Sequence, residues 1–455
     1  MADRSPQGIR PRTAARLELG RAVGGALLAP LRYLGHVPVR KRVLSEIRHD
    51  VQEGSGELSP LPQTSIPTDR PLRILVGAAE ASGEIHGANL IRAIRARVEA
   101  AGAPPPEFAA LGGERIRELG VPTIADPVAR AHTGFDGVLS SLPYYVGVIE
   151  DTARHARNVR PDLFIPVDSP ALNVPLAHAV RRYGVKTCHL VAPQYWGWAP
   201  WRVRGYRKAM DLSLTILPHE PAWYGRHGVR TRHIGHPLLD DLASVPVTRP
   251  EEGSRILALL PGSRRGVIQR NLPWMLEALR PLRQAAPDAE VRILQSTEEH
   301  AGLIQELTRG HDVTFTCQEL HGELARARAA FAVSGTVLTD VLHHRLPTVV
   351  LYRFSKRLES FLYDHVLTTP YFASTNLLAG REVLPEHGFR GRGPVELVGA
   401  QVRDAFLDPA TRARAAEDLE DAARRLGPPG AIDRAAAHAL ALVPAPPSPG
   451  ATPRG

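Results

Sequence analysis

An α/β chain with two doubly wound parallel sheets is the fold class the sequence predicts, and three observations carry it. Short unbroken apolar runs recur along the chain, too continuous for strands with one wet face. Segments with helical spacing separate them. The series then restarts after the polar, linker-like stretch Val245–Gly253, and a chain of 455 residues is long enough for more than one core.

Residues 1–70 read as a basic N-terminal extension and linker. Arg10, Arg12, Arg16 and Arg21 precede the apolar stretch Ala22–Leu31, which Gly24, Gly25 and Pro30 interrupt. A basic segment touching a membrane interface and a short helix packed on the body both fit this pattern. Glu53–Arg70, rich in Gly, Ser, Pro and Thr, is the linker. The first Rossmann-like domain is expected over residues 71–248, with strands at Ile74–Ala78, Phe108–Leu111, Leu163–Val167, Thr187–Val191 and Leu212–Leu217. A turn at Ser82-Gly83 leads into a helix over Gly87–Val98. The second domain is expected over residues 249–400, with strands at Ile256–Leu260, Val291–Leu294, Val313–Thr316, Ala329–Val333 and Thr348–Leu351. Helices rich in Ala, Arg and Leu over residues 401–443 and a Pro/Ser/Gly-rich tail over 444–455, expected to be disordered, close the chain. Open α/β sheets bind ligands beyond the carboxyl ends of their strands, so a cleft faced by the two domains is the expected site.

Composition narrows the function classes. With 43% apolar and 23% charged residues the chain reads as globular, and no apolar run reaches the length of a membrane-spanning helix. Only Cys188 and Cys317 occur, which argues against a disulfide framework and suits a reducing cytoplasm. No Cys/His cluster has zinc-ligand spacing, and His343-His344 is a neighbouring pair pointing to different helix faces. The net charge is +9, yet Lys41, Lys186, Lys208 and Lys356 are the only lysines among 56 basic residues. That skew reads as codon composition. The positive charges are not interleaved with aromatic residues as a nucleic-acid platform requires, whereas attraction to anionic substrates or an anionic membrane surface is compatible with them.

Three segments point to a phosphorylated, hydroxyl-rich ligand. Asn376-Leu-Leu-Ala-Gly-Arg-Glu-Val-Leu-Pro385 places an amide, a guanidinium and a carboxylate (Asn376, Arg381 and Glu382) in one short span. Leu260-Pro-Gly-Ser-Arg264 and Ser334-Gly335-Thr336 each follow an apolar run, as a strand ending in a small-residue turn before a helix does. Backbone N–H groups and the helix dipole at such turns bind phosphate.

With these residues in view, the chain resembles the lipid-A-disaccharide synthase family, as a divergent member, from about Arg73 to Gly388. The motifs fall in the family's order: Glu80-Ala-Ser-Gly83, Pro161-Asp162 with Val167-Asp168, Trp196-Gly-Trp198, Leu217-Pro-His-Glu220, His227-Gly-Val229, Gly235-His236-Pro237, Leu259 to Arg264, Ser334-Gly-Thr336, Tyr352-Arg353, and Asn376 to Glu382. The resemblance implies a GT-B architecture and an inverting hexosyltransferase. It would join UDP-2,3-diacylglucosamine to 2,3-diacylglucosamine 1-phosphate, releasing UDP, in the cytoplasm at the inner leaflet of the membrane. No cofactor and no metal are expected, since no Asp-x-Asp motif is placed to bridge a diphosphate; a homo-oligomer is compatible.

The family's roles carry over residue by residue. Asp168 matches the base, and a strand-end cap is its plainer reading. Arg264, Ser334, Gly335, Thr336, Asp340, Asn376, Arg381 and Glu382 match the nucleotide side; for the last three, hydrogen bonding at a domain interface is the alternative. Ser82, Gly83 and Glu84 match the acceptor side or cleft. Trp196 and Trp198 either line a sugar or acyl site or pack in the core. The pattern also departs from the family. Glu84 and Asp340 exchange aspartate and glutamate relative to it, Ala171 and Val267 stand where carboxylates are expected, and Thr133–Gly137 lacks a Met-Gly and its glutamate. Nucleotide-side motifs are therefore better kept than acceptor-side ones. This leaves room for a related transferase with another acceptor, a UDP-sugar epimerase, or a non-catalytic nucleotide-sugar-binding relative. A dinucleotide oxidoreductase is disfavoured, because no Gly-x-Gly-x-x-Gly follows the first strand.

Overall fold

The computed structural model describes residues 9–131, 138–247, 253–317 and 319–444. The departures at Thr133–Gly137, the middle of Val245–Gly253 and nearly all of the C-terminal tail lie outside the described residues. The chain divides into two compact units. The first comprises Met1–Gly35, Glu57–Asp240 and Pro428–Gly455, and the second His36–Gly56 and Asp241–Gly427.

The first unit is built on β1 (Arg73–Ala78), β2 (Glu107–Leu111), β3 (Thr123–Ala125), β4 (Leu163–Val167), β5 (Lys186–Leu190), β6 (Leu212–Thr215) and β7 (Thr231–His233). They form one seven-stranded sheet in the order β3-β2-β1-β4-β5-β6-β7, every pair parallel. The central strand β4 is apolar throughout because helices cover both faces, and all five of its residues are buried. The order reverses between β1 and β4, with Val76 opposite Ile165. The second unit carries β8 (Ile256–Leu260), β9 (Glu290–Leu294), β10 (Thr314–Thr316), β11 (Ala329–Val333), β12 (Thr348–Arg353) and β13 (Glu386–Phe389). Its sheet is again parallel, in the order β10-β9-β8-β11-β12-β13, and reverses between β8 and β11. Leu257, Leu259, Phe331 and Val349 pack there against Leu272, Met275, Val398 and Val402 from the flanking helices.

Helices set the ends of these strands. The extension forms α1 (Pro11–Leu27), α2 (Ala29–His36) and α3 (Arg40–Glu53); α4 (Ala81–Ala100) follows β1 and α5 (Glu114–Arg117) follows β2. Helix α4 buries Gly87, Ala88, Ile91, Ile94 and Val98, spaced for one face of a helix. It begins at Ala81, so Ser82 and Gly83 are its first turn and not a turn ahead of it. Glycine is favoured there because a Cβ on Gly83 would stand 3.3 Å from the Val167 carbonyl oxygen, a tight contact. In the first unit the segment after α3 covers an edge: Ser59 N donates to His233 O at 2.9 Å, and His233 N donates to Ser59 Oγ at 2.9 Å. The last helix, Ala431–Leu440, packs on α4 and is capped by Asp240, which accepts from the backbone N–H groups of Gly430, Ala431 and Ile432.

Candidate functional site

Two local sites arise where the strand order reverses, one in each unit. In the first unit the chain leaves β4 through Asp168 and Ser169, both left-handed, with φ of 49° and 43°. Two such non-glycine residues in succession cost roughly 1–3 kcal/mol each, so the surroundings must impose the turn. Asn173 does so from the helix Pro170–Arg181, donating through Nδ2 to Val167 O at 2.9 Å and to Asp168 O at 2.8 Å. Asp168 N donates to Leu190 O at 2.9 Å, and His189 Nε2 lies 3.0 Å from Asp168 O. Burial lowers the His189 pKa to about 4, so its ring is neutral and Nε2 carries the donated proton.

The Asp168 carboxyl is pushed up to about 6, first by burial and then by the charge of Glu80, while the backbone N–H of Ser169 opposes the shift. Glu80 ends the loop after β1 and accepts from Ser169 Oγ at 2.5 Å. A carboxylate with this environment is ionised near neutral pH and basic enough to remove a proton from a hydroxyl.

The neighbouring candidates separate. Ser82 is exposed in the first turn of α4, and Gly83 is buried there. Glu84 is buried and already engaged by the fold. Its carboxylate accepts from Ile116 N at 3.3 Å and lies against Gly113, at the start of α5. It therefore supports α5 from inside the unit. Trp196 is buried, donates Nε1 to Glu220 Oε1 at 3.1 Å and meets the His219 ring edge-on at 4.4 Å, so core packing is the reading that holds. Trp198 is half-buried beneath the Arg202 guanidinium, 4.8 Å from its ring.

In the second unit a cavity of about 440 Å³ opens at the carboxyl ends of β8, β9 and β11. Gly262, Ser263, Arg264, Gln295, Ser334, Gly335, Thr336 and Asp340 supply its polar lining, and Leu260, Val267, Leu294, Leu320 and Val333 its apolar wall. The backbone comes close to the cavity because Gly262 sits at φ 102°, where an added Cβ would fall 2.5 Å from Val267 Cγ1. Gln295 clamps that turn, donating Nε2 to Gly262 O at 2.9 Å and to Leu294 O at 3.0 Å. Arg264 stands at the N-cap position of the helix Arg265–Ala278 without a side-chain capping bond and has no ion-pair partner among the described residues, so its fork of donors is available to an anion. Ser334 Oγ donates to Phe372 O at 2.9 Å, which leaves its lone pairs directed elsewhere. Burial pushes the Asp340 carboxyl up to about 6, and His321 Nε2 lies 3.9 Å from its Oδ1.

Asn376, Arg381 and Glu382 are not among the residues that line this cavity. Asn376 is fully buried and saturated: Nδ2 donates to Leu384 O at 2.9 Å and Glu386 Oε2 at 3.1 Å, while Oδ1 accepts from Val383 N and Leu384 N, both at 2.9 Å. No capacity remains for a ligand. Arg381 pairs with Asp418 at 2.5 Å, and Glu382 is exposed, accepting from Glu386 N at 3.4 Å. The segment reaches the cavity at one remove. Glu386, held by Asn376, accepts from Phe372 N at 3.0 Å, and Phe372 O in turn fixes the Ser334 hydroxyl. Sequence reasoning quoted Glu80 and Ser263 within motifs without giving either a role, and it missed Gln295, although that residue directly follows the apolar run Val291–Leu294.

Comparison with known proteins gives the family and the fold. Residues 74–403 match the model of the lipid-A-disaccharide synthetase family. The lipid-A-disaccharide synthase of Myxococcus xanthus is 34% identical over 385 residues, covering 82% of this chain and 98% of that one. That of Geobacter sulfurreducens is 31% identical over 387 residues, covering 82% and 97%. Among solved structures, the S. aureus MnaA–UDP co-structure (TM-score 0.52, 12% identity, 79% of this chain and 94% of that chain) and the glycotransferase of kitacinnamycin (TM-score 0.51, 17%, 82% and 100%) share the GT-B fold. With its matched region spanning both sheets, the chain belongs to the lipid-A-disaccharide synthase family and is a hexosyltransferase of lipid A biosynthesis.

Proposed function

We propose that the chain transfers the acylated sugar of UDP-2,3-diacylglucosamine to 2,3-diacylglucosamine 1-phosphate with inversion, giving the lipid A disaccharide 1-phosphate and UDP. The cavity beyond β8, β9 and β11 carries the reading, since an unpaired arginine and a Ser-Gly-Thr turn lie together there. The second unit holds the donor. Arg264 and the Ser334–Thr336 turn take the diphosphate, and Asp340 accepts from a ribose hydroxyl. The first unit supplies the base. Asp168 removes the proton of the acceptor hydroxyl as its oxygen bonds to the anomeric carbon and the bond from that carbon to the UDP oxygen breaks. Charge built on the leaving diphosphate is met by Arg264. A lipid acceptor places the reaction at the inner-leaflet surface of the cytoplasmic membrane.

Purified protein incubated with the two acylated sugars is expected to form disaccharide and UDP. Asp168→Ala should abolish turnover and leave UDP binding within about twofold, because the nucleotide contacts are in the other unit. Undiminished turnover in that variant removes Asp168 as the base. UDP release without disaccharide shows a different acceptor, the reading that Ala171 and the other acceptor-side departures keep open.

A further inference from the structure

Among the described residues, more exposed large apolar side chains fall between Leu17 and Val39 than in the rest of the chain together. In the first unit they are carried by α1 and α2. Leu27, at the end of α1, and Leu31 and Leu34, about one turn apart in α2, are 74%, 65% and 67% exposed, and Leu17, Val23 and Leu28 are exposed beside them in the chain. The opposite side is anchored. Ala14, Ala15 and Glu18 are buried against the helices Val138–Val159 and Pro170–Arg181. Glu18 accepts from Arg182 at 3.0 Å, Tyr183 Oη donates to Ile9 O at 2.8 Å, and Tyr33 meets the Trp201 ring edge-on at 4.9 Å. The leucines are thus presented by helices that are themselves held.

We propose that α1 and α2 form a docking surface for an anionic lipid bilayer. Charge selects that occupant. Arg10, Arg12, Arg16, Arg21 and Arg32 are all exposed, and Glu18, the one carboxylate between Ile9 and His36, is buried. Such a face attracts anionic headgroups, whereas a second copy of the same face would bring like charges together. No helix of the described residues is long and apolar enough to cross a membrane, so the helices lie on the surface with their leucines inserted. The residues are outside the family-matched region, which begins at residue 74, so this device belongs to the extension and not to the transferase core. The inference deepens the membrane-surface element of the proposed function. Lipid binding is measured without turnover, so either can fail alone.

The test is co-sedimentation of the full chain with phosphatidylcholine vesicles, with and without phosphatidylglycerol. Wild type is expected to bind the anionic vesicles and to be released by salt. Leu27→Ser/Leu31→Ser/Leu34→Ser should weaken binding about a hundredfold, and Arg12→Gln/Arg16→Gln/Arg32→Gln should remove the preference for phosphatidylglycerol. Both sets change exposed side chains; should the leucine variant lose its native circular dichroism, the arginine variant decides. Equal binding by wild type and both variants overturns the proposal, as does absence of wild-type binding. A concentration-dependent dimer that the leucine substitutions dissolve, with no vesicle binding, also overturns it and assigns the patch to self-association.

Discussion

Replacing Asn376 by alanine separates a ligand contact from an internal support. The substitution deletes two donated and two accepted hydrogen bonds inside a fully buried site, stranding Val383 N, Leu384 N, Leu384 O and one Glu386 oxygen. At about 1 kcal/mol net for each bond, Asn376→Ala should destabilise the second unit by about 3–5 kcal/mol, a large part of a typical domain's stability. Amide exchange of Val383 and Leu384, whose N–H groups bond to Oδ1, reads this directly and should accelerate about a thousandfold. UDP affinity should fall only as far as the Phe372 carbonyl shifts and loosens Ser334. Asn376→Asp keeps the acceptor and loses the donors, placing a second carboxylate beside Glu386, whose carboxyl burial already raises. Like-charge repulsion raises the folded-state pKa of the new group, so its cost is small in acid and grows as pH rises. Asn376→Asp should therefore be more stable relative to wild type at about pH 5 than at about pH 8. An Asn376→Ala protein with exchange rates within about fivefold of wild type, yet no UDP binding, refutes the assignment and returns Asn376 to the ligand.

Further outcomes follow from the same contacts. The acid limb of kcat/KM should rise through an apparent pKa near 6 as Asp168 ionises, and Glu80→Gln should move that limb to lower pH by removing a like charge; a limb that stays in place excludes the coupling. Because the Asp168 carboxyl is raised in the fold from 3.8 to about 6, its contribution to stability is complete below about pH 4, falls as pH rises to about 6 and is level above, which Asp168→Asn should flatten in urea titrations across that window. Gly262→Ala should weaken UDP binding at least about tenfold, since a Cβ would stand 2.5 Å from Val267 Cγ1 at a φ of 102°; unchanged affinity by calorimetry means the turn does not approach the nucleotide. Activity should survive EDTA, because no Asp-x-Asp motif offers a diphosphate-bridging metal site; loss restored by a divalent ion contradicts this.

Most of the strands that sequence alone revealed have both faces covered, since burial on both sides leaves an apolar run, and the edge strand Thr314–Thr316 was found beside them. The three it did not reveal, Thr123–Ala125, Thr231–His233 and Glu386–Phe389, are all sheet edges and only three or four residues long. An edge is only partly covered, so Arg232, Glu386 and His387 are tolerated there and no apolar signature forms. The start of α4 was misplaced for a different reason. Ser82-Gly83 resembles a turn locally, and only the proximity of Val167 O, far along the chain, explains a glycine inside a helix.

The polar residues divide by the same logic, and hydrogen-bonding capacity left over after folding is what tells them apart. Asn376, Glu84 and Arg264 are all polar groups beside small-residue turns, indistinguishable as sequence. Folding consumes all four bonds of Asn376, gives Glu84 the backbone N–H of Ile116 and ties Arg381 to Asp418. The partners lie from seven to 37 residues away, a separation no local pattern encodes. Arg264 keeps its charge without an ion-pair partner among the described residues, at a cavity that Gln295 and Gly262 hold in shape. A buried or paired group has already gained its stabilisation from the protein, whereas one left charged beside a cavity still has a large interaction energy to gain from an anion. The ligand is therefore to be sought at Arg264, with Asn376 as the support that keeps the neighbouring Ser334 turn in place.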